Sequence, residues 1–272
     1  MKKYTRVLTI AGSDSGGGAG IQADLKAFSA CGCYGMSAVT AITAQNTVGV
    51  TDIHPIPVVT IQAQIRAVIG DIGVDAVKIG MLHSTEVIRG VAEVLNTHDI
   101  RKVVLDPVMV ATSGDRLIER DAVSSLKEDL FPQVYVITPN IPEAELLLDT
   151  KIESRQAFEE AAYELSRNHN VSVLLKAGHF SGKTLEDILV LAGDGGVHRY
   201  ANSRIATTNT HGTGCTLSSA LASYIGKGYD LPEAVGLAEK YLHKAIEAGA
   251  AFELGKGHGP VHHFHEYWPK EK

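Results

Sequence analysis

Cysteine, tryptophan and long apolar runs are scarce in this chain, and each shortage removes a class of protein. Three cysteines in 272 residues, at positions 31, 33 and 215, are too few, and odd in number, for a disulfide framework. Cys31-Gly32-Cys33 offers half of a metal site, but no second Cys or His cluster has the spacing to complete it. The simpler reading is two small residues near the end of the first helix. No stretch approaches the ~18 apolar residues of a membrane helix. The apolar run in the opening "MKKYTRVLTIAGSDSGGG" is too short for a secretory leader. The expectation is a cytoplasmic protein that does not engage a membrane. Positive charge is also in deficit. With 25 Lys and Arg against 31 Asp and Glu, the net charge is -6, which argues against a nucleic-acid partner, because phosphate backbones are held by excess cations.

What is present is an ordinary apolar content of 44% arranged in alternation. Short β-branched runs (6–12, 37–46, 75–82, 102–110, 134–140 and 172–178) alternate with helical stretches (20–31, 58–71, 84–98, 119–130 and 153–168). The strand runs are continuously apolar, which suits parallel strands covered on both faces. The alternation predicts βαβ units with right-handed crossovers. After residue 185 the pattern changes to a hairpin around Gly-Asp-Gly-Gly, then helices over 213–224 and 231–250. No linker, low-complexity tract or internal repeat interrupts the chain. The predicted fold is α/β: one domain, 1–272, with a mostly parallel sheet between two helical layers and a late antiparallel hairpin.

In such a sheet, ligands bind beyond the carboxyl ends of the strands. Those ends hold "GSDSGGGAG", "QNT", "GML", "DPVM", "TPNIPE", "KAGH" and "THGTGC", and the opposite ends hold far fewer polar residues. "GSDSGGGAG" contains no Gly-Lys-Ser/Thr, so it is not a Walker A loop. A relaxed dinucleotide fingerprint fits residues 18–23, but Gln45-Asn46 stands where a dehydrogenase places its ribose-binding acid. The segment 209–215 is a better anion site. Gly212, Thr213 and Gly214 precede a helix, so backbone N–H groups and the positive end of the helix dipole converge there. Asn140 and Glu143, three apart after a strand, are in a position to meet one hydrated cation, although Glu three residues into a helix is also a capping residue. Asp106 ends a neighbouring strand and adds a second acid for Mg²⁺. Lys176 ends an apolar strand, where a phosphate or an ion pair would satisfy its charge. Cys215 begins the helix, where the dipole favours a thiolate. Four histidines in 257–268 sit among Pro, Phe, Tyr and Trp and read as a packed tail.

Together these segments, with "VTAITAQNT", "VKIGML" and "VVLDPVMVATSGDRL", resemble the bacterial hydroxymethylpyrimidine/phosphomethylpyrimidine kinases of thiamine biosynthesis, members of the ribokinase-like superfamily. The resemblance spans essentially the whole chain. It implies MgATP-dependent phosphorylation of 4-amino-5-hydroxymethyl-2-methylpyrimidine and then of its monophosphate. It implies that Gln45 binds the aminopyrimidine, with Gly12, Thr43 (through its backbone), Met81 and Val108 lining that pocket. Asn140 and Glu143 would lie near magnesium, Lys176 would meet ATP phosphates, and residues 212–215 would form the anion hole with Cys215 beside the acceptor. A homodimer is implied, and residues 110–117 are a candidate lid. Pyridoxal kinases of the same superfamily are the alternative. Sugar kinases of the superfamily carry Asp where Cys215 stands; a thiol tolerates an acceptor that is already anionic, which a carboxylate would repel.

Overall fold

Alternate residues of each central strand face opposite apolar layers, which explains why the strands read as unbroken hydrophobic runs. The computed structural model describes residues 2–109, 117–119, 121–178, 180 and 182–269; the candidate lid at 110–117 lies outside them except for Leu117, as does His179. The strands are β1 (Arg6–Asp14), β2 (Tyr34–Gln45), β3 (Val50–Pro55), β4 (Ala76–Ile79), β5 (Val103–Leu105), β6 (Val136–Ile137), β7 (Ser172–Leu175), β8 (Thr184–Val190) and β9 (Val197–Ser203). The helices are α1 (Gly20–Ala30), α2 (Val58–Asp71), α3 (Thr85–Thr97), α4 (Ala122–Ser125), α5 (Ile141–Leu148), α6 (Arg155–His169), α7 (Thr213–Gly226) and α8 (Leu231–Gly249). One sheet runs in the order β3-β2-β1-β4-β5-β6-β7-β8-β9. It is parallel from β2 to β7 and antiparallel at β2–β3, β7–β8 and β8–β9.

Leu8, Ile10, Val77, Ile79, Val103 and Leu105 point to the face covered by α2 to α6. Val7, Ala76, Val104, Val136 and Leu174 point to the face covered by α1, α7 and α8. Both layers follow from the period-two alternation of strand side chains. Caps set where several helices begin. Ser84, Ser154 and Asp230 accept from the amide of the third residue of α3, α6 and α8, and Asn140 opens α5 through a reciprocal box with Glu143, as such residue types do at helix starts.

Two elements differ from the sequence reading. β3 pairs antiparallel with the outer half of β2 although "VTDIHP" contains Asp and Pro, which suit only an edge strand. The helix expected over 119–130 holds α-geometry only through α4, then widens into a π turn over Leu126–Leu130 and a 3-10 turn over Phe131–Gln133. Pro132 lies in that last turn and cannot supply a helical N–H.

Strand length decides what the central strands deliver. β5 stops at Leu105, one residue before Asp106; β7 stops at Leu175, one residue before Lys176. Asp106 and Lys176 thus stand where the ladder ends, whereas Lys78, inside β4, is tolerated there by its buried pair with Asp24. In β1 the pairing with β2 shifts between Ala11 and Ser13. The partners jump from Val39 to Ile42 across this step, so the extra residue of the bulge lies on β2 and Gly12 is left out of the paired positions.

Candidate active site

At the carboxyl ends of the parallel strands lies a cavity of about 630 Å³. Gly12, Thr43, Gln45, Met81 and Val108 line one end of it. Asp106, Asn140, Glu143, Lys176 and the turn Gly212-Thr213-Gly214-Cys215 line the middle. Every site residue named from the sequence therefore borders one space. Beyond the turn the wall continues along β8, β9 and α8.

The α7 N-terminus is built by close backbone approach. Gly212 adopts φ +77°, and a Cβ there would lie 1.8 Å from the Gly18 carbonyl oxygen; only glycine permits both. No side chain caps the helix; Thr213 N–H donates to the Thr210 carbonyl, and the Gly214 and Cys215 amides remain for a ligand in the cavity. A Cβ on Gly214 would lie 3.3 Å from Asp106 Oδ2 and 3.4 Å from Lys176 Nζ. The missing side chain lets the turn sit directly against that acid and that ammonium.

Lys176 donates to Asp106 Oδ1 at 2.9 Å. Asp106 also accepts from the Thr138 hydroxyl at 3.1 Å. Burial works against the Lys176 ammonium, but Asp106 and Glu143 outweigh it and hold its pKa above the ordinary value. Glu143 Oε2 accepts from the Asn140 amide at 2.8 Å, and Asn140 Oδ1 accepts from the Glu143 amide at 2.9 Å. The capping alternative weighed from the sequence is thus formed, while both residues still border the cavity. Burial, with Asp106 adding to it, pushes the Glu143 carboxyl up to about 7 against Lys176 and two backbone amides.

Cys215 departs from the sequence reading. The dipole at a helix start favours a thiolate, but burial raises this thiol to about 11, with Asp24 and Asp106 acting in the same direction. Lys78 and a hydrogen bond from the Gly20 amide oppose this and are outweighed. The group is a neutral thiol at physiological pH. Beneath it lies a fully buried pair: Lys78 Nζ donates to both Asp24 oxygens at 2.8 and 2.9 Å. Asp24 accepts further from Thr9 and Ser219.

At the other end, Thr43 Oγ1 lies 3.1 Å from Gln45 Oε1 and 2.8 Å from the Ser13 carbonyl. Ser15 fixes the Gln45 backbone through both its N–H and its C=O. The Gln45 side chain is thereby held at the pocket wall with its amide available to a ring edge. The Met81 methyl lies 2.7 Å from where a Gly12 Cβ would stand, so this glycine is part of the pocket's shape.

Residues that sequence reasoning passed over hold the two glycine segments together. Asp14 accepts from the amides of Gly16, Gly18 and Ala19, and His211 Nε2 meets its Oδ2 at 2.8 Å. Burial raises the Asp14 pKa, but His211 and the amides prevail and hold it below the usual range. The signal was available, since Asp14 is the one acid in "GSDSGGGAG". The C-terminal segment packs as a tail: His211 pairs with Pro260, Thr216 meets buried His263 at 3.0 Å, and Tyr241 donates to the His263 carbonyl at 2.8 Å.

An uncapped helix start facing an acid–ammonium pair, at the rim of a parallel sheet and next to a small half-apolar pocket, defines a small-molecule kinase of the ribokinase-like fold. The phosphomethylpyrimidine kinase family matches residues 14–262, and the chain belongs to that family; it is a phosphotransferase. It is 51% identical to the hydroxymethylpyrimidine/phosphomethylpyrimidine kinase of Rhizobium meliloti, across 96% of this chain and 97% of that one. It is 52% identical to the thiamine biosynthesis bifunctional protein of Geobacter sulfurreducens over 94% of this chain, and spans 52% of that longer protein. Among solved structures, the ADP complex of Bacillus subtilis pyridoxal kinase superposes with a TM-score of 0.88 at 34% identity, covering 96% of this chain and 98% of that one. Among the described residues no helix is long and apolar enough to cross a membrane.

Proposed function

We propose that the protein transfers the γ-phosphoryl group of ATP first to the hydroxymethyl group of 4-amino-5-hydroxymethyl-2-methylpyrimidine and then to the resulting monophosphate. The observation that carries this is the shared cavity, with Gln45 at one end, the α7 N-terminus in the middle and the β8–β9–α8 wall beyond it. The pyrimidine reading stands ahead of the pyridoxal one because the chain is 51% identical to a pyrimidine kinase and 34% identical to the pyridoxal kinase.

Gln45 holds the ring edge, and Met81 and Val108 close on its faces. The first-turn amides of α7 stabilise charge on the migrating group, and Lys176 meets the phosphates of ATP. Phosphoryl transfer relies mainly on positioning and charge stabilisation, so a strong base is not required. Cys215, a neutral thiol, stands beside the acceptor without repelling the anionic second substrate. Asp106 and Glu143 suit Mg²⁺: burial and a like charge hold the Glu143 proton, and a divalent cation would restore the Glu143 carboxylate. When bound, the ion neutralises phosphate charge. We place the whole activity in a single domain, 1–272, working in the cytoplasm where ATP is supplied. A homodimer would cover the exposed apolar side chains Ile42, Val48 and Val59 near the β3 edge.

The test is ADP release with the aminopyrimidine, its monophosphate and pyridoxal side by side. Turnover of both pyrimidines, in two steps, is expected. Gln45→Ala should raise KM for the pyrimidine roughly 10- to 100-fold, the worth of a hydrogen-bond pair in a shaped pocket, with KM for ATP unchanged. A higher kcat/KM for pyridoxal would overturn the proposal.

A further inference from the structure

Two acids on the nucleotide-side wall take no part in the chemistry above. Glu239, on α8, is 7% exposed. Asn202 donates to its Oε2 at 3.0 Å, while its Oε1 is buried and receives no hydrogen bond. Its neighbour is Asp187 on β8, whose Oδ1 accepts from the Ala177 amide at 2.7 Å. Were both acids ionised, Glu239 would carry a bare buried oxygen facing a second negative charge, which adds repulsion to desolvation. A proton on Glu239 Oε1 removes both penalties, because the O–H then donates to Asp187. Glu239 is buried and Asp187 half-buried, the two side chains lie within hydrogen-bonding reach, and carboxyls so placed commonly share one proton.

We propose that Glu239 carries this shared proton and that the resulting acid–acid hydrogen bond is a positioning device for Lys176. It ties α8 to β8, and Asp187 in turn grips the amide of the residue directly after Lys176. Burial and the neighbouring Asp187 drive the Glu239 carboxyl well above the ordinary carboxylate range, and burial raises Asp187 as well. The other polar groups facing the pair are Lys176, which favours the charged form, neutral Asn202, and Tyr200, whose phenol is itself pushed up to about 12 by burial and by Glu239 and Asp230. With the proton in place the wall carries one negative charge fewer where a polyphosphate would lie.

The effect on ATP rests on the reading of Lys176 as a phosphate contact; the proton does not, so the two are tested apart. The infrared difference spectrum of nucleotide-free wild type minus Glu239→Gln at pH 7 should contain the C=O stretch of a protonated carboxylic acid. Absence of that band would overturn the proposal whatever Lys176 does. In steady-state assays, Glu239→Gln can still donate to Asp187 and should leave KM for ATP within about twofold, whereas Glu239→Leu should raise it about tenfold with a smaller change in kcat, as expected for one lost hydrogen bond. Equal damage from both substitutions, or none from Glu239→Leu, would refute the positioning role. Should Glu239→Leu not fold, the infrared comparison decides alone.

Discussion

Cys215 reports directly on the electrostatics of the α7 N-terminus. The perturbation is a pH titration of its reaction with a small disulfide reagent, in a Cys31→Ser/Cys33→Ser background that removes the two buried thiols. With the Cys215 pKa at about 11, the thiolate is roughly 3 parts in 10,000 at pH 7.5, against roughly one in ten for a free thiol near ~8.5. That alone slows the exchange about 300-fold. A more basic thiolate is also a better nucleophile, which recovers roughly tenfold for this difference in pKa. The expected rate is thus about 20- to 30-fold below that of a free thiol at pH 7.5, and it should climb about tenfold per pH unit without levelling before pH 10. A plateau between pH 8 and 9 would show that the helix dipole and Lys78 outweigh burial, and the argument for a neutral thiol would fail.

Three further outcomes follow from the same geometry. Cys215→Asp should slow the second phosphorylation selectively. A unit charge about 5 Å from an anionic acceptor costs ~3 kcal/mol at an effective dielectric constant of ~20, or on the order of 100-fold, and equal slowing of both steps would refute the repulsion. The Glu143 carboxyl, raised to about 7, binds more protons folded than unfolded, so metal-free stability should fall as pH rises from ordinary carboxylate values through 7, and Glu143→Gln should flatten that slope. Calorimetry of Mg²⁺ binding at pH 7 in buffers of different ionisation enthalpy should show roughly half a proton released, and none in Glu143→Gln. Gly212→Ala sets a Cβ against the Gly18 carbonyl at a positive φ and should cost at least about 2 kcal/mol in urea unfolding; a loss below about 0.5 kcal/mol would contradict the close approach.

The alternation of apolar strands and helices and the polar residues clustered at strand ends were legible in the sequence, because burial on both faces of a parallel sheet imposes the first and the end of the hydrogen-bonded ladder permits the second. The late hairpin and the glycine turn before α7 were legible for the same local reasons. β3 was not: an edge strand takes its partner from β2, and its own residues contain little to announce it. Nor were the contacts that cross the chain. Asp14 with His211, Lys78 with Asp24, and Asp187 with Glu239 join residues 197, 54 and 52 positions apart, and no local propensity encodes such a distance. Cys215 shows the difference most sharply. Its position at a helix start speaks for a thiolate, and the sequence conveys that much. The burial that makes it a neutral thiol, and the acids of α1 and the end of β5 that add to it, outweigh Lys78 of β4, and only the folded chain brings them together around it.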